Sequence, residues 1–328
     1  MPGRSPAKSP MWNCRFDRGT KGCLPSACGL KAGIRPRFDP GYGKEGMEHM
    51  ERFVCGGNNL HAQLKPEMVE KMGIHSPEEL HCSGEKVWQV AQVLQKSGWV
   101  TLPFCNTLCS EGLGARPSLS LEGARVREQP YQCIDKLPEQ VSLNFPRMEA
   151  MQQAMGQCGE AGLGMIYNVE GPFTILSSLV PMSRMFAALR KTQGEALLMR
   201  AEDWICQYSH MAVEHGAQAL SFSDPVATVD ILGSRVFEKS FLPSCRRLVE
   251  RLCRENPGVV LHLCGKLTQS LLDTQHALVT RWVPERAVET YGETLWEFSR
   301  AHPQGGIVGH FCVNMLSAKR NWLYEIQL

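Results

Sequence analysis

The strongest constraint on this chain is a rhythm. From Gly84 onward, helix-length stretches alternate with short apolar runs that suit buried strands. Residues 86–96 read as a helix and lead through Gly98 to an apolar run ending Leu102-Pro103-Phe104-Cys105. A second helix, from Pro146 to about Gly162, leads to a strand over 164–170. The helical stretch 196–214 is closed by Gly216 and leads to 217–224, and 241–254 stops at Pro257-Gly258 before a strand ending in His262. Two weaker pairs follow, 267–274 with 277–282 and 293–300 with 306–311. Such alternation builds a parallel sheet covered by helices. Met148, Met151 and Met155, three and four apart, belong to a packing face of the second helix.

The strand ends narrow the choice of parallel sheet. Glu170, Ser223, Asp224, His262, Cys264, His310 and Cys312 all fall at the C-terminal ends of their runs. In a closed (β/α)8 barrel those ends converge on one rim, where groups from several strands meet. An open doubly wound sheet gathers ligands at one switch point, usually beside a Gly-rich loop, and the sequence carries no G-x-G-x-x-G or P-loop pattern. The expectation is an α/β chain of the (β/α)8 TIM barrel class.

Within that rim, residues 258–265 read Gly-Val-Val-Leu-His-Leu-Cys-Gly. His262 and Cys264 are two apart, which on a strand sends both side chains to one face. An imidazole and a thiolate together suit a borderline-soft ion such as Zn2+. Two ligands need a partner, and the next cysteine is Cys312. A buried thiol beside a hydrogen-bonded core histidine fits the same spacing and stays open.

Five motifs, in order, resemble the uroporphyrinogen decarboxylase superfamily, and within it the zinc-dependent corrinoid methyltransferases. They are Leu102-Pro103-Phe104-Cys105 with Glu111-Gly112-Leu113-Gly114-Ala115; Val169-Glu170-Gly171-Pro172-Phe173-Thr174; Phe222-Ser223-Asp224-Pro225-Val226-Ala227; Leu261-His262-Leu263-Cys264-Gly265; and Ile307-Val308-Gly309-His310. The resemblance spans roughly residues 60–316 and implies the same barrel. The departures are informative. The decarboxylase branch's N-terminal arginine-rich motif and the family's opening segment are expected to have no counterpart in this sequence, a basic tail standing in their place. The family's third zinc ligand, a cysteine on the last strand, is expected to lie beyond the end of this chain, so the barrel is expected to lack its last strand and helix. His310 stands where the family usually has asparagine.

The resemblance implies a methyltransferase that moves a methyl group between a corrinoid, as a corrinoid protein or free methylcobalamin, and a small thiol or methylated substrate. Zn2+ on His262, Cys264 and Cys312, with one open position, would lower the pKa of an incoming thiol and leave it nucleophilic. Glu170 and Asp224 are the candidate catalytic carboxylates, orienting substrate or taking the released proton. A helix cap at Asp224 and a rim salt bridge at Glu170 are their structural alternatives. Three rival functions remain: transfer of a substrate methyl to Co(I), with the metal as a Lewis acid; decarboxylation of a porphyrinogen; and a closed His2Cys2 site of His262, Cys264, His310 and Cys312 that catalyses nothing. Cys105 and Cys109 are expected to be core or helix-face thiols.

Composition fixes the setting. Residues 1–45 carry nine basic residues up to Lys44 against Asp17 and Asp39, with no apolar period, and are expected to be a flexible Gly/Pro-rich basic tail ahead of a barrel domain over 46–328. Cys14, Cys23 and Cys28 there lack a C-x2-C pair and are expected to be plain thiols. A net charge of +2 gives no global field for nucleic acid or an anionic membrane surface. No run approaches the roughly 18 apolar residues of a membrane span, and the N-terminus lacks a secretory core. The 14 scattered cysteines suit a reducing compartment, so the expected location is the cytoplasm.

Overall fold

The computed structural model describes residues 64–191 and 193–328. The expected basic tail, with Cys14, Cys23 and Cys28, lies outside them. Three short helices come first: α1 (Pro66–Lys71), α2 (Pro77–Cys82) and α3 (Gly84–Leu94). Serines start the second and third: the Ser76 hydroxyl accepts the Glu79 N–H at 3.2 Å, and Ser83 accepts that of Lys86 at 3.4 Å. Next come β1 (Trp99–Leu102), α4 (Leu108–Gly112) and a hairpin of β2 (Pro117–Ser120) and β3 (Gly123–Val126). Helix α5 (Pro146–Glu160) leads to β4 (Gly164–Glu170), then α6 (Pro172–Leu179), α7 (Met182–Leu189) and α8 (Gln193–Glu214). Strand β5 (Ala219–Ser223) is followed by α9 (Val229–Val236) and α10 (Leu242–Glu255). The chain ends with β6 (Val260–Leu263), α11 (Gly265–Asp273), β7 (Leu278–Trp282), α12 (Tyr291–Ala301), β8 (Gly306–Gly309) and β9 (Leu323–Gln327).

The expected architecture of alternating helices and parallel strands holds, with β1, β4, β5, β6 and β8 paired in parallel. The order is β1-β4-β5-β6-β8-β9-β7, with β9 antiparallel to both its neighbours. Among the described residues no ladder joins β1 to β7, so the sheet is not closed by hydrogen bonds. Strand composition accounts for the exchange beside β6. A strand in the middle of a sheet covered on both faces must be apolar on both, and the Gly-Ile-Val-Gly of β8 is. Strand β7 carries exposed Thr280 and Arg281 and takes the edge.

Register sorts the side chains by face, because residues paired across parallel strands point the same way. One face carries Leu102, Tyr167, Leu220, Leu261 and Ile307 in a row, then Val169, Phe222 and Leu263. It packs against α3, α5, α8 and α10 in the main hydrophobic cluster. The other face carries Thr101, Ile166, Ala219 and Val260 in one row, Asn168, Ser221, His262 and Val308 in the next, and Glu170 with Ser223 beyond. In a barrel this is the lumen side. Here α12 covers it: Tyr291, Leu295 and Phe298 share a cluster with Trp99, Ile166, Ala219, Val260 and Val308. All three helix side chains are buried, worth roughly 1.5–3 kcal/mol each. No helix among the described residues is long and apolar enough to cross a membrane.

Candidate active site

The lumen-side face changes character along the strands. It is apolar at the N-terminal end and polar at the C-terminal end, where the two last rows hold Asn168, Ser221, His262, Glu170 and Ser223. Asn106, Ser223 and Cys264 are half-buried there, so solvent reaches the rim.

Glu170 ends β4 and is buried, its Oε2 accepting the Ser110 hydroxyl at 3.2 Å. Burial pushes its carboxyl up to about 8; the Ser110 bond opposes this and the nearby charge of Asp224 adds to it. Glu170 is therefore largely protonated at neutral pH. Among the described residues Glu170 forms no salt bridge, the alternative role weighed for it.

Asp224, just after β5, is 1 % exposed. Its carboxylate accepts the Phe173 N–H at 3.0 Å, the Thr174 N–H at 2.9 Å and the Thr174 hydroxyl at 2.6 Å. Asp224 thus caps the first turn of α6 from the neighbouring strand, satisfying amides that the helix leaves unbonded. Burial raises its pKa to about 6 and these hydrogen bonds hold it back from going further. Gly171 is what permits the approach, since a Cβ there would overlap the Asp224 carboxylate.

His262 lies fully buried in β6, and its Nε2 is 2.9 Å from the Tyr291 hydroxyl of α12. Burial lowers its pKa to about 4, so the ring is neutral and shares a hydrogen bond with the Tyr291 hydroxyl. Cys264 follows at the N-terminus of α11 as a half-buried thiol. Cys312 is a buried thiol beyond β8, after Phe311, whose ring stands 5.5 Å from that of Tyr291. His310 adopts φ 73, and its N–H donates to the Thr268 hydroxyl at 3.2 Å. Among the described residues no group of three or more His, Cys, Asp or Glu side chains is placed to hold a metal ion. The expected ligands His262, Cys264 and Cys312, and the alternative fourth ligand His310, are thus not gathered. The Tyr291 hydroxyl occupies His262 Nε2, and although Nδ1 is buried without a hydrogen-bond partner, the other expected donors are not gathered with it, so the donor set does not fit Zn2+ in this arrangement.

Sequence reading missed Ser110, Thr174, Tyr291 and Arg147. Arg147, at the start of α5, is buried and pairs with Glu111, and it reaches the Thr107 hydroxyl at 3.2 Å and the Cys105 thiol at 3.4 Å. Cys105 is therefore a half-buried thiol beside a guanidinium, while Cys109 is a core thiol raised well above its ordinary pKa by burial. Thr174 stood inside a motif already singled out, and Ser110 directly precedes the Glu111–Ala115 motif. For Tyr291 and Arg147 the sequence held no signal, because their partners lie 29 and 36 residues away.

Comparison with known proteins adds three findings. The family model described as uroporphyrinogen decarboxylase (URO-D) matches residues 65–290. A methylcobamide:CoM methyltransferase MtaA of Methanosarcina barkeri is 30% identical over 224 residues, and an MtbA of Methanosarcina acetivorans 28% over 224. The MtaA match covers 63% of this chain, which spans 63% of the length of that relative. A solved methyltransferase from Methanosarcina mazei superposes with a TM-score of 0.55 at 20% identity, over 66% of this chain and 65% of its own, and shares the fold.

Proposed function

From the premise that the chain belongs to the uroporphyrinogen decarboxylase (URO-D) family, we propose that it moves a methyl group between a corrinoid and a thiol-type acceptor. The relatives named methylcobamide:CoM methyltransferases favour this over decarboxylation of a porphyrinogen. Decarboxylation also asks for cations that clamp carboxylates, and the buried Arg147 is already paired with Glu111.

The observation that carries the reading is Glu170. It sits at the C-terminal rim, where a barrel places its chemistry, with its carboxyl held near 8. A thiol of ordinary pKa near ~8.5 must lose its proton to attack, and the ionised fraction of Glu170, small at neutral pH and growing as pH rises toward 8, takes it at little cost. The corrinoid is the methyl donor, and it supplies a cobalt–carbon bond whose electron pair stays with cobalt when the methyl leaves. The acceptor sulfur then gains the S–C bond, its proton rests on Glu170, and water removes that proton through the half-buried edge at Ser223 and Asn106. Asp224 positions: its cap on α6 fixes the β4–α6 turn that holds Glu170. No step is assigned to Zn2+, whose expected ligands are not assembled.

The test is loss of the methyl–cobalt absorbance of methylcobalamin with a panel of thiols, using the full chain and a variant that loosens α12, Leu295→Ala. Demethylation that depends on Glu170 supports the reading. No demethylation above the protein-free rate by either protein refutes it.

A further inference from the structure

Helix α12 begins at Tyr291, one residue past the end of the family match at residue 290. It nevertheless lies on the family's own sheet, against the face that a barrel would turn inward. The Trp99 indole donates to the Gly292 carbonyl at 2.8 Å, and the Trp99 and Trp296 rings meet edge-on at 4.7 Å. The approach is close enough that a Cβ at Gly292 would come within 2.6 Å of the Ser97 Cβ. At the C-terminal end of the same face the Tyr291 hydroxyl reaches His262 Nε2, and the Tyr291 ring stands between the rings of His262 (6.1 Å) and Phe311 (5.5 Å), the residue before Cys312. The helix lines a cavity of about 540 Å³ through Glu293, Trp296, Glu297 and Arg300, whereas the cavity on the polar row of the sheet, bordered by Lys96, Thr101, Asn168 and Asn314, holds about 30 Å³. That is room for a water or two, not for a substrate.

We infer that α12 is a built-in stopper: it fills the inner face of the sheet, and Tyr291 holds His262 and stands between it and the Cys312 segment, so the closed chain binds no metal there and must lift α12 to expose the Asn168–Ser221–His262 row. The inference gives the proposed methyltransferase a closed state and rests on that reading only for its purpose. It follows from the seating of one helix. The three side chains on its buried face, Tyr291, Leu295 and Phe298, recur at helical spacing and pack on the inner face of the sheet together with Trp282 and Phe311. Displacing the helix frees His262 Nε2 and the space that the Tyr291 ring fills beside His262 and Phe311.

Co2+ is the probe, added to the full, reduced chain under anaerobic conditions, because thiolate ligation gives intense near-ultraviolet bands. The wild type is expected to bind well under one-tenth of an equivalent. Leu295→Ala, which undercuts the helix away from the rim, is expected to raise the open population about a hundred-fold. It should bind close to one equivalent, and His262→Ala added to it should abolish the bands. One equivalent bound by the wild type and lost in His262→Ala overturns the inference, and so does a folded Leu295→Ala chain that binds none. Hydrogen exchange of the wild type gives an independent reading should that variant fail to fold. The α12 amides are expected to exchange at least ten-fold faster than those of β6, and equal rates would mean that the helix leaves only with global unfolding, which overturns the gate. Cobalt binding gained by Leu295→Ala without any demethylation would leave the stopper standing and remove the methyl-transfer reading.

Discussion

Replacing Glu170 by Gln keeps the shape of the side chain and an oxygen to accept the Ser110 hydroxyl, and removes only the ability to ionise. In the folded chain burial holds the carboxyl at about 8, against an ordinary value of 4.5. Between those values the unfolded chain has lost a proton that the folded chain keeps, so the folded state binds more protons and stability must fall as pH rises through the window. The gap from 4.5 to about 8 corresponds to about 5 kcal/mol, at roughly 1.4 kcal/mol per pH unit. Little of that cost is present at about pH 5 and nearly all of it at about pH 9, so the advantage of Glu170→Gln over the wild type should grow by about 4 kcal/mol between them. Asp224 and every other titrating group are common to both proteins, which makes the difference specific to Glu170. Urea denaturation of both chains at several pH values measures it. A difference that stays flat across the range would mean that Glu170 titrates as an ordinary carboxylate, and the matched-base argument would lose its footing.

Three further predictions, read from five substitutions, probe the surrounding frame. Gly171→Ala places a Cβ on the Asp224 carboxylate, so the unfolding midpoint should drop by the equivalent of about 1–3 kcal/mol, whereas Gly98→Ala, where no atom lies within 4 Å, should cost only the strain of a positive φ. Asp224→Ala strands two amides and a hydroxyl and should cost about 2–4 kcal/mol, measured by denaturation, with Asp224→Asn recovering part of the loss. Tyr291→Phe leaves His262 Nε2 buried without its hydrogen-bond partner and should cost about 1–3 kcal/mol, readable as a lower urea midpoint near neutral pH.

How much of this was legible in the sequence follows the range of the interactions involved. Helix α8 and strands β4, β5 and β6 are written in local apolar patterns and glycine stops, and reading them placed Glu170, Asp224, His262 and Cys264 at strand ends correctly. The 15-residue α5, with its weak apolar period, was still found because Pro146 and Gly162 bracket it. Closure of the sheet was not legible. Which strand pairs with β6 is decided by competition between β7 and β8, settled by exposed Thr280 and Arg281 against two glycines, and a period count does not weigh one strand against another. Strand β9, whose Tyr-Glu-Ile-Gln ending lies past the motifs, escaped notice for the same reason. The H-x-C spacing announced two side chains near one face and was silent on what would meet them. The Tyr291 hydroxyl arrives on a helix whose amphipathic pattern says that it packs, but not on which surface. The capping role weighed for Asp224 was sound in kind, and the helix it caps is α6 on the preceding strand's side, reached only through tertiary structure.

Methyl transfer itself remains the decisive quantity, and it is read most directly by following methylcobalamin in the presence of a thiol panel with the Leu295→Ala chain and the same chain carrying Glu170→Gln. A demethylation rate above the protein-free rate that falls about 10²–10⁴-fold on replacing Glu170 is the predicted result. Equal rates with Glu and Gln at position 170, or none above the protein-free control, would contradict it.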